Sequence, residues 1–269
     1  MTFAKRRYLG LTLLLLLSAV CGLVNDALTT QLHHAAIFTG SALLSVLLLL
    51  TLFNARKKLP FLPILKASTW MQIHIYVGLL SLVLFGLHLH GRIPQGTLEL
   101  TLAVLYLAVF LSGLVGLALS RWLPSRLTMH GETVIYERIP AMCAAIQREA
   151  EELVEQSVGA TNSSTIADFY EARLRQHFAR PLILRSLVPG FRGSLFTLLA
   201  EVEALDRFLN AAERETMGQL VRLIQAKDNL DVQMSGQRLL KLWLFVHIPL
   251  TYGLLLFAIV HAVMAFTLS

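Results

Sequence analysis

The sequence predicts an all-α protein: a polytopic membrane helix bundle of about five transmembrane helices, with a helical cytoplasmic insert between spans four and five. Three observations predict it. The chain of 269 residues is 55% hydrophobic with a mean hydropathy of +0.63, too apolar for a soluble domain of that length. Five stretches are apolar over enough residues to cross about 30 Å of hydrocarbon at about 1.5 Å per residue. Finally, 15 of the 17 acidic residues fall between Glu132 and Asp231, leaving only Asp26 and Glu99 elsewhere. One polar block therefore interrupts lipid-compatible sequence.

The apolar stretches run from Tyr8 to Val24, Ala35 to Phe53, Ser68 to His90, Leu98 to Ser120 and Leu242 to Leu268. The first is the shortest. Lys5, Arg6 and Arg7 followed by leucines give it the look of a signal peptide, but Val20 is too large beside a cut before Cys21. It is read as an uncleaved first helix.

Basic residues orient the spans. Lys5 to Arg7, then Arg56, Lys57, Lys58 and Lys66, then Arg121 and Arg126, and finally Arg238 and Lys241 all fall on one side of a five-span arrangement. The opposite side has Arg92 and the near-neutral segment from Asn25 to His34. The positive-inside rule puts the N-terminus in the cytoplasm and the C-terminus outside, as expected in a bacterial inner membrane. The net charge of +6 belongs to these flanks, so the expected partner is the lipid bilayer and no nucleic acid.

The polar block is helical by pattern. Apolar residues recur at three-and-four spacing over Met142 to Val158 and Ile166 to Phe178, and the loop Thr161-Asn162-Ser163-Ser164 offers N-caps for the second. Pro181, Pro189, Gly190 and Gly193 break the pattern before Ser194 to Asn210 and Ala211 to about Gln237. Only Gly236 stands between the last stretch and the fifth span, so the helix can run straight on. The block contains no phosphate-binding glycine loop and no legible catalytic motif. The domain organisation read from these patterns is 1–120 for four spans, 121–241 for the insert and 242–269 for the fifth span.

Cys21 and Cys143 stand alone, without a Cys-x-x-Cys pair or an adjacent haem-attachment histidine. That disfavours c-type haem, iron–sulfur clusters and a cysteine zinc site. The histidines are more informative. His74 and His88 lie in span three, His247 and His261 in span five, and each pair is separated by thirteen residues. That spacing advances about 21 Å with about 40° of angular drift, so each helix presents one imidazole in each leaflet on nearly one face. With the insert on one side of the membrane, spans three and five run parallel. His74 then lies level with His247 near the cytoplasmic face, and His88 with His261 near the outer face. Two opposed imidazoles at one depth are the axial ligands of six-coordinate haem iron, and helix bundles build such sites from facing helices. Trp70 and Trp243 each precede a histidine by four residues, which supports equal depth for His74 and His247.

Two parallel membrane helices with histidines at this spacing resemble the diheme membrane cytochrome b superfamily. It includes the b subunit of cytochrome bc complexes and the transmembrane domain of ferric reductases and NADPH oxidases. The resemblance covers spans three to five only, and the placement on the third and fifth helices is closer to the ferric reductase arrangement. It implies two haem b groups, His74 with His247 and His88 with His261, and transmembrane electron transfer as the membrane subunit of a redox complex. The donor it implies is quinol or a redox partner protein. This sequence shows no flavin or NADPH domain after the fifth span and no quinol-site signature of the bc type, so the donor stays open. More an oxidoreductase subunit than a complete enzyme is expected, with no catalytic residue named. Two other classes compete: a haem- or metal-handling membrane protein without redox turnover, and a self-contained ferric-type reductase.

A lone intramembrane histidine is as readily a helix–helix hydrogen-bonding group. Four of them matched in spacing, depth and direction are not explained that way. Spans three and five contain no Asp, Glu or Cys, which argues against a divalent-metal or proton site. His90 is an alternative to His88 but breaks the spacing; His33, His34, His130 and His177 read as solvated. Lys66, Arg92, Arg238 and Lys241 lie at depths suited to haem propionates, although positive-inside flanking also explains them. Gly78, Gly86 and Gly253 suit either close helix packing or a flat macrocycle; Gly113 and Gly116 read as packing positions. Pro249 frees a backbone group and is expected to bend the fifth helix.

Overall fold

The computed structural model describes residues 3–31, 35–55, 67–127, 134–179 and 193–268. They form nine α-helices: α1 (Phe3–Gln31), α2 (Ala35–Ala55), α3 (Ala67–Leu89), α4 (Thr97–Leu127), α5 (Ile139–Thr161), α6 (Thr165–Phe169), α7 (Arg175–Ala179), α8 (Gly193–Leu205) and α9 (Ala211–Leu268). A π turn over Tyr170–Leu174 joins α6 to α7, and 3-10 turns occupy Tyr136–Arg138 and Asp206–Phe208. No strand occurs among the described residues. Helices α1, α2, α3, α4 and α9 are long and apolar enough to cross a membrane, so the chain is an all-α polytopic bundle.

The chain divides into two compact units, Met1–Ala118 with Trp243–Ser269, and Leu119–Leu242. In the first, α2 packs on α3 and α1 packs on both. Its core gathers Leu43, Leu47, Leu84, Tyr106 and Leu254. The Ser81 hydroxyl and the Tyr106 phenol are 2.9 Å apart, and Phe85 stacks on Tyr106 at 4.1 Å. Buried hydroxyl pairs of this kind join helices where apolar surface cannot distinguish a neighbour from lipid. Outward-facing apolar side chains such as Leu15, Leu16, Phe245 and Leu256 are the surface a bilayer covers.

The first span is longer than its apolar run. Helix α1 continues through Asn25 and Asp26 to Gln31, with the Thr29 and Thr30 hydroxyls donating to the Asp26 carbonyl and Asn25 buried. Threonine back-bonding absorbs carbonyls that polar residues would otherwise open to a turn. Between α3 and α4 the chain reverses through His90 and Gly91, both at positive φ (48° and 69°). Glycine adopts this region without strain.

The second unit has its own core, in which Tyr170, Leu174 and Phe178 pack with Val202, Leu220 and Ile224. Helix α5 ends on Asn162 in the left-handed conformation at φ 50°. Helix α9 starts on a reciprocal cap: Asn210 Oδ1 accepts from the Glu213 N–H and Glu213 Oε2 accepts from the Asn210 N–H, both at 2.9 Å. From there α9 is continuous for 58 residues. It stays helical through Pro249, whose missing N–H leaves the Phe245 carbonyl without its usual intrahelical partner.

Candidate functional site

The four candidate histidines, His74, His88, His247 and His261, belong to the first unit, and each one on α3 has its counterpart on α9 nearby. The rings of His88 on α3 and His261 on α9 have centroids 6.3 Å apart with planes at 83°. His74 on α3 lies within electrostatic reach of His247 on α9. Both pairings require α3 and this part of α9 to run in the same direction. The backbone of α3 packs closely on α1 and α2, whereas α3 and α9 make no comparably close backbone approach. The imidazoles reach across that gap.

His88 is cradled by α2. Its Nδ1 lies 3.3 Å from the Thr39 hydroxyl, and that hydroxyl donates to the Ala36 carbonyl at 3.2 Å. A Cβ on Gly40 would come within 2.9 Å of His88 Cε1, so only glycine leaves space for this ring position. His90 is turned away: it is exposed, and its Nδ1 lies 3.1 Å from the His88 carbonyl.

His247 is held by α4. Its Nδ1 lies 3.2 Å from the Ser112 hydroxyl, and the Ser112 carbonyl accepts from the Trp243 indole N–H at 2.9 Å. The indole stacks on His247 at 5.1 Å and 23°. Gly116 admits it, since a Cβ there would overlap the indole ring. His74 packs against Phe53 at 4.9 Å, its ring lies near the Leu50 carbonyl, and its Nδ1 is buried without a hydrogen-bond partner among the described residues.

A cavity of about 880 Å³ opens beside His88 and His261. Its apolar wall includes Leu43, Leu47, Phe85, Leu254 and Phe266, and Arg92, Gln95 and Glu99 supply polar groups. Cavities of this size and lining hold large, mostly apolar ligands. Among the flanking cations expected from sequence, Arg92 lines this cavity. Lys66 lies outside the described residues, as do His33, His34 and His130. Arg238 is exposed, and Lys241 pairs with Glu137 at 2.8 Å and lies 3.8 Å above the Tyr136 ring, all within the second unit. A Cβ on Gly78, Gly86 or Gly253 would meet nothing, so close helix packing does not explain these glycines.

The residues fit a haem at the His88–His261 pair. Two metal–nitrogen bonds of about 2 Å plus the half-widths of two imidazoles come to roughly 6 Å between centroids, against the 6.3 Å found. The donor set is imidazole alone; no cluster of three or more His, Cys, Asp or Glu able to hold a metal ion occurs among the described residues.

Sequence reading missed the hydroxyl partners Thr39 and Ser112, and it placed His177 at the surface. His177 is half-buried, its Nε2 has no hydrogen-bond partner among the described residues, and its ring lies near the Ile224 carbonyl. Burial, helped by the Lys227 ammonium, pushes its pKa down to about 4. Lys227 is itself 1% exposed and bonds Asp231 at 2.5 Å. Burial and then the Asp231 carboxylate push the nearby Cys143 thiol up. Spacing alone had no means of detecting this cluster, because His177 sits 50 positions from Lys227.

No family model, curated protein or solved structure matches the chain.

Proposed function

We propose that the chain is a diheme b-type cytochrome that carries electrons across a membrane as the membrane subunit of a redox complex. The observation that carries this reading is the His88–His261 spacing of 6.3 Å across two helices whose backbones stay apart. His88 and His261 would hold one haem b, and His74 and His247 the other. When bound, the two groups supply reversible one-electron chemistry at two depths in the bilayer.

The chain's own contribution is geometry and environment. The helix bundle holds the His88 and His261 imidazoles opposed beside a largely apolar wall, and ligand geometry and surroundings both tune an iron potential. Arg92, on the wall of the cavity, would neutralise a propionate at the His88–His261 level, and Gln95 is available to donate a hydrogen bond beside it. Tyr106 and Ser81 satisfy one another, so they hold α3 against α4 without competing for the ligand. Our reading keeps the basic flanks and the N-terminus cytoplasmic, in a bacterial inner membrane. Quinol or a partner protein would be the donor.

The test is the reduced-minus-oxidised visible spectrum of the detergent-purified protein, with haem per chain measured as the pyridine complex. Two low-spin b-type haems per chain are expected, and each single His→Ala change should disturb one of them. Haem-free protein from cells with ample haem would overturn the reading and leave a role without redox turnover.

A further inference from the structure

Each histidine pair has one ring tied to a hydroxyl on a helix that carries no ligand. His88 has Thr39 of α2 at 3.3 Å, and His247 has Ser112 of α4 at 3.2 Å, in both cases at Nδ1. Their opposite numbers differ. His261 makes no hydrogen bond among the described residues, and His74 Nδ1 is buried short of any partner. The asymmetry alternates between helices, since the held ring belongs to α3 in one pair and to α9 in the other.

The direction of the Thr39 bond can be worked out. The Thr39 hydroxyl donates to the Ala36 carbonyl at 3.2 Å, which turns its lone pairs to His88, and that carbonyl is itself an acceptor beside the same ring. Nδ1 must therefore carry the proton and donate it, which leaves the Nε2 lone pair for a metal. The resulting chain, N–H to O–H to O=C, is cooperative and draws positive charge onto the ring proton. Such an acceptor makes the imidazole a stronger donor to metal and fixes its tautomer and orientation. Ser112 stands at the same nitrogen of His247, and with Nε2 given to a metal that Nδ1 would carry the proton and donate it to the hydroxyl. The Ser112 carbonyl holds Trp243 one turn away on α9, so one residue of α4 contacts two rings.

We propose that Thr39 and Ser112 are positioning residues, one for each haem, which fix the Nδ1–H tautomer of their histidine and hold the potential of that haem down. The proposal rests on the diheme reading above. A stronger imidazole donor favours ferric over ferrous iron, so removing the hydroxyl raises the potential, and it does so at one haem only.

The experiment is a spectroelectrochemical titration of the full-length protein in detergent, with the two haems assigned beforehand through His88→Ala and His247→Ala. Thr39→Val should retain two haems and raise the potential of the one lost in His88→Ala. The expected change is roughly tenfold in ferric preference, about 59 mV for one electron. Ser112→Ala should do the same for the other haem, and Thr39→Ser and Ser112→Thr should stay near wild type. Two haems with unchanged potentials in Thr39→Val and Ser112→Ala would overturn this proposal and leave the diheme reading intact. Equal shifts at both haems, or haem loss in the hydroxyl-retaining variants too, would overturn it in favour of a purely structural role. A wild-type protein without haem would overturn both.

Discussion

The Trp243 indole lies face to face with the His247 ring, 23° from parallel, while its N–H donates to the carbonyl of the residue whose hydroxyl meets the same histidine. Ring orientation is thus set from two directions. Trp243→Phe keeps the stacking face and loses the hydrogen bond. If the proposed diheme assignment holds, haem content should remain at two per chain, and thermal stability should fall by about 1 kcal/mol. On the same assignment, Trp243→Ala should broaden or abolish only the signal of the haem proposed for His74 and His247. Haem quantification alongside thermal melts distinguishes the two.

Gly40 and Gly78 make an internal comparison. A side chain at Gly40 would meet the His88 ring, whereas one at Gly78 would meet open space. Under the proposed haem assignment, Gly40→Leu should remove one haem, the same one lost in His88→Ala. Gly78→Ala should be tolerated by the protein without haem. If a macrocycle fills that space, the same substitution lowers haem occupancy, which a haem titration of the apoprotein reads directly.

The membrane spans and the four-histidine spacing were legible because both depend on periodicity and length. Hydropathy marks a helix that must bury its backbone polar groups, and a fourteen-position step returns nearly to the same helix face. Thr39 and Ser112 were not legible. A hydroxyl in an apolar helix usually bonds its own preceding turn, as Ser41 and Thr101 do here, so nothing local distinguishes one that also reaches a neighbour. Helix α1 passes the end of its apolar run for a related reason: Asn25 and Asp26 look like a loop until the Thr29 and Thr30 hydroxyls are seen bonding back. The π turn at Tyr170–Leu174 carries no proline or glycine to announce it.

The cap of α9 is a local device with a local test. Asn210→Ala removes the acceptor for the Glu213 N–H and should cost about 1 kcal/mol. Hydrogen exchange should accelerate in the first turns of α9, near Ala211 to Met217, and not beyond Trp243.

In the second unit, Lys227 and Asp231 are each 1% exposed. Lys227→Met takes the ammonium away from a carboxylate that water cannot reach, and we expect a loss of about 3 to 5 kcal/mol in chemical denaturation. The double change to Lys227→Met with Asp231→Leu should recover much of that loss. A double variant as unstable as the single one would mean that other groups bound to Asp231 dominate.

His177 gives a pH signature. Its pKa in the folded protein is about 4, below the ordinary value of 6.5, with burial the leading cause. The unfolded chain therefore binds the proton first on acidification. Stability from this group is complete above about pH 6.5 and is lost as pH falls toward 4, by up to about 3 kcal/mol. Denaturation midpoints measured between pH 7 and 4.5 should fall less steeply in His177→Gln than in the wild type.

Each histidine on α3 precedes its partner on α9 by 173 positions. At roughly 5 to 20 residues per second of synthesis, the α3 member waits on the order of ten to thirty seconds for the other to emerge. During that interval α2 and α3 already exist, so Thr39 and Gly40 can seat His88 before any second imidazole is made. The ring that must face the gap is set early, and the one that closes it arrives late. On the proposed function, the interval leaves an open half-pocket that is completed only when the last stretch of α9, from Trp243 onward, joins the first unit.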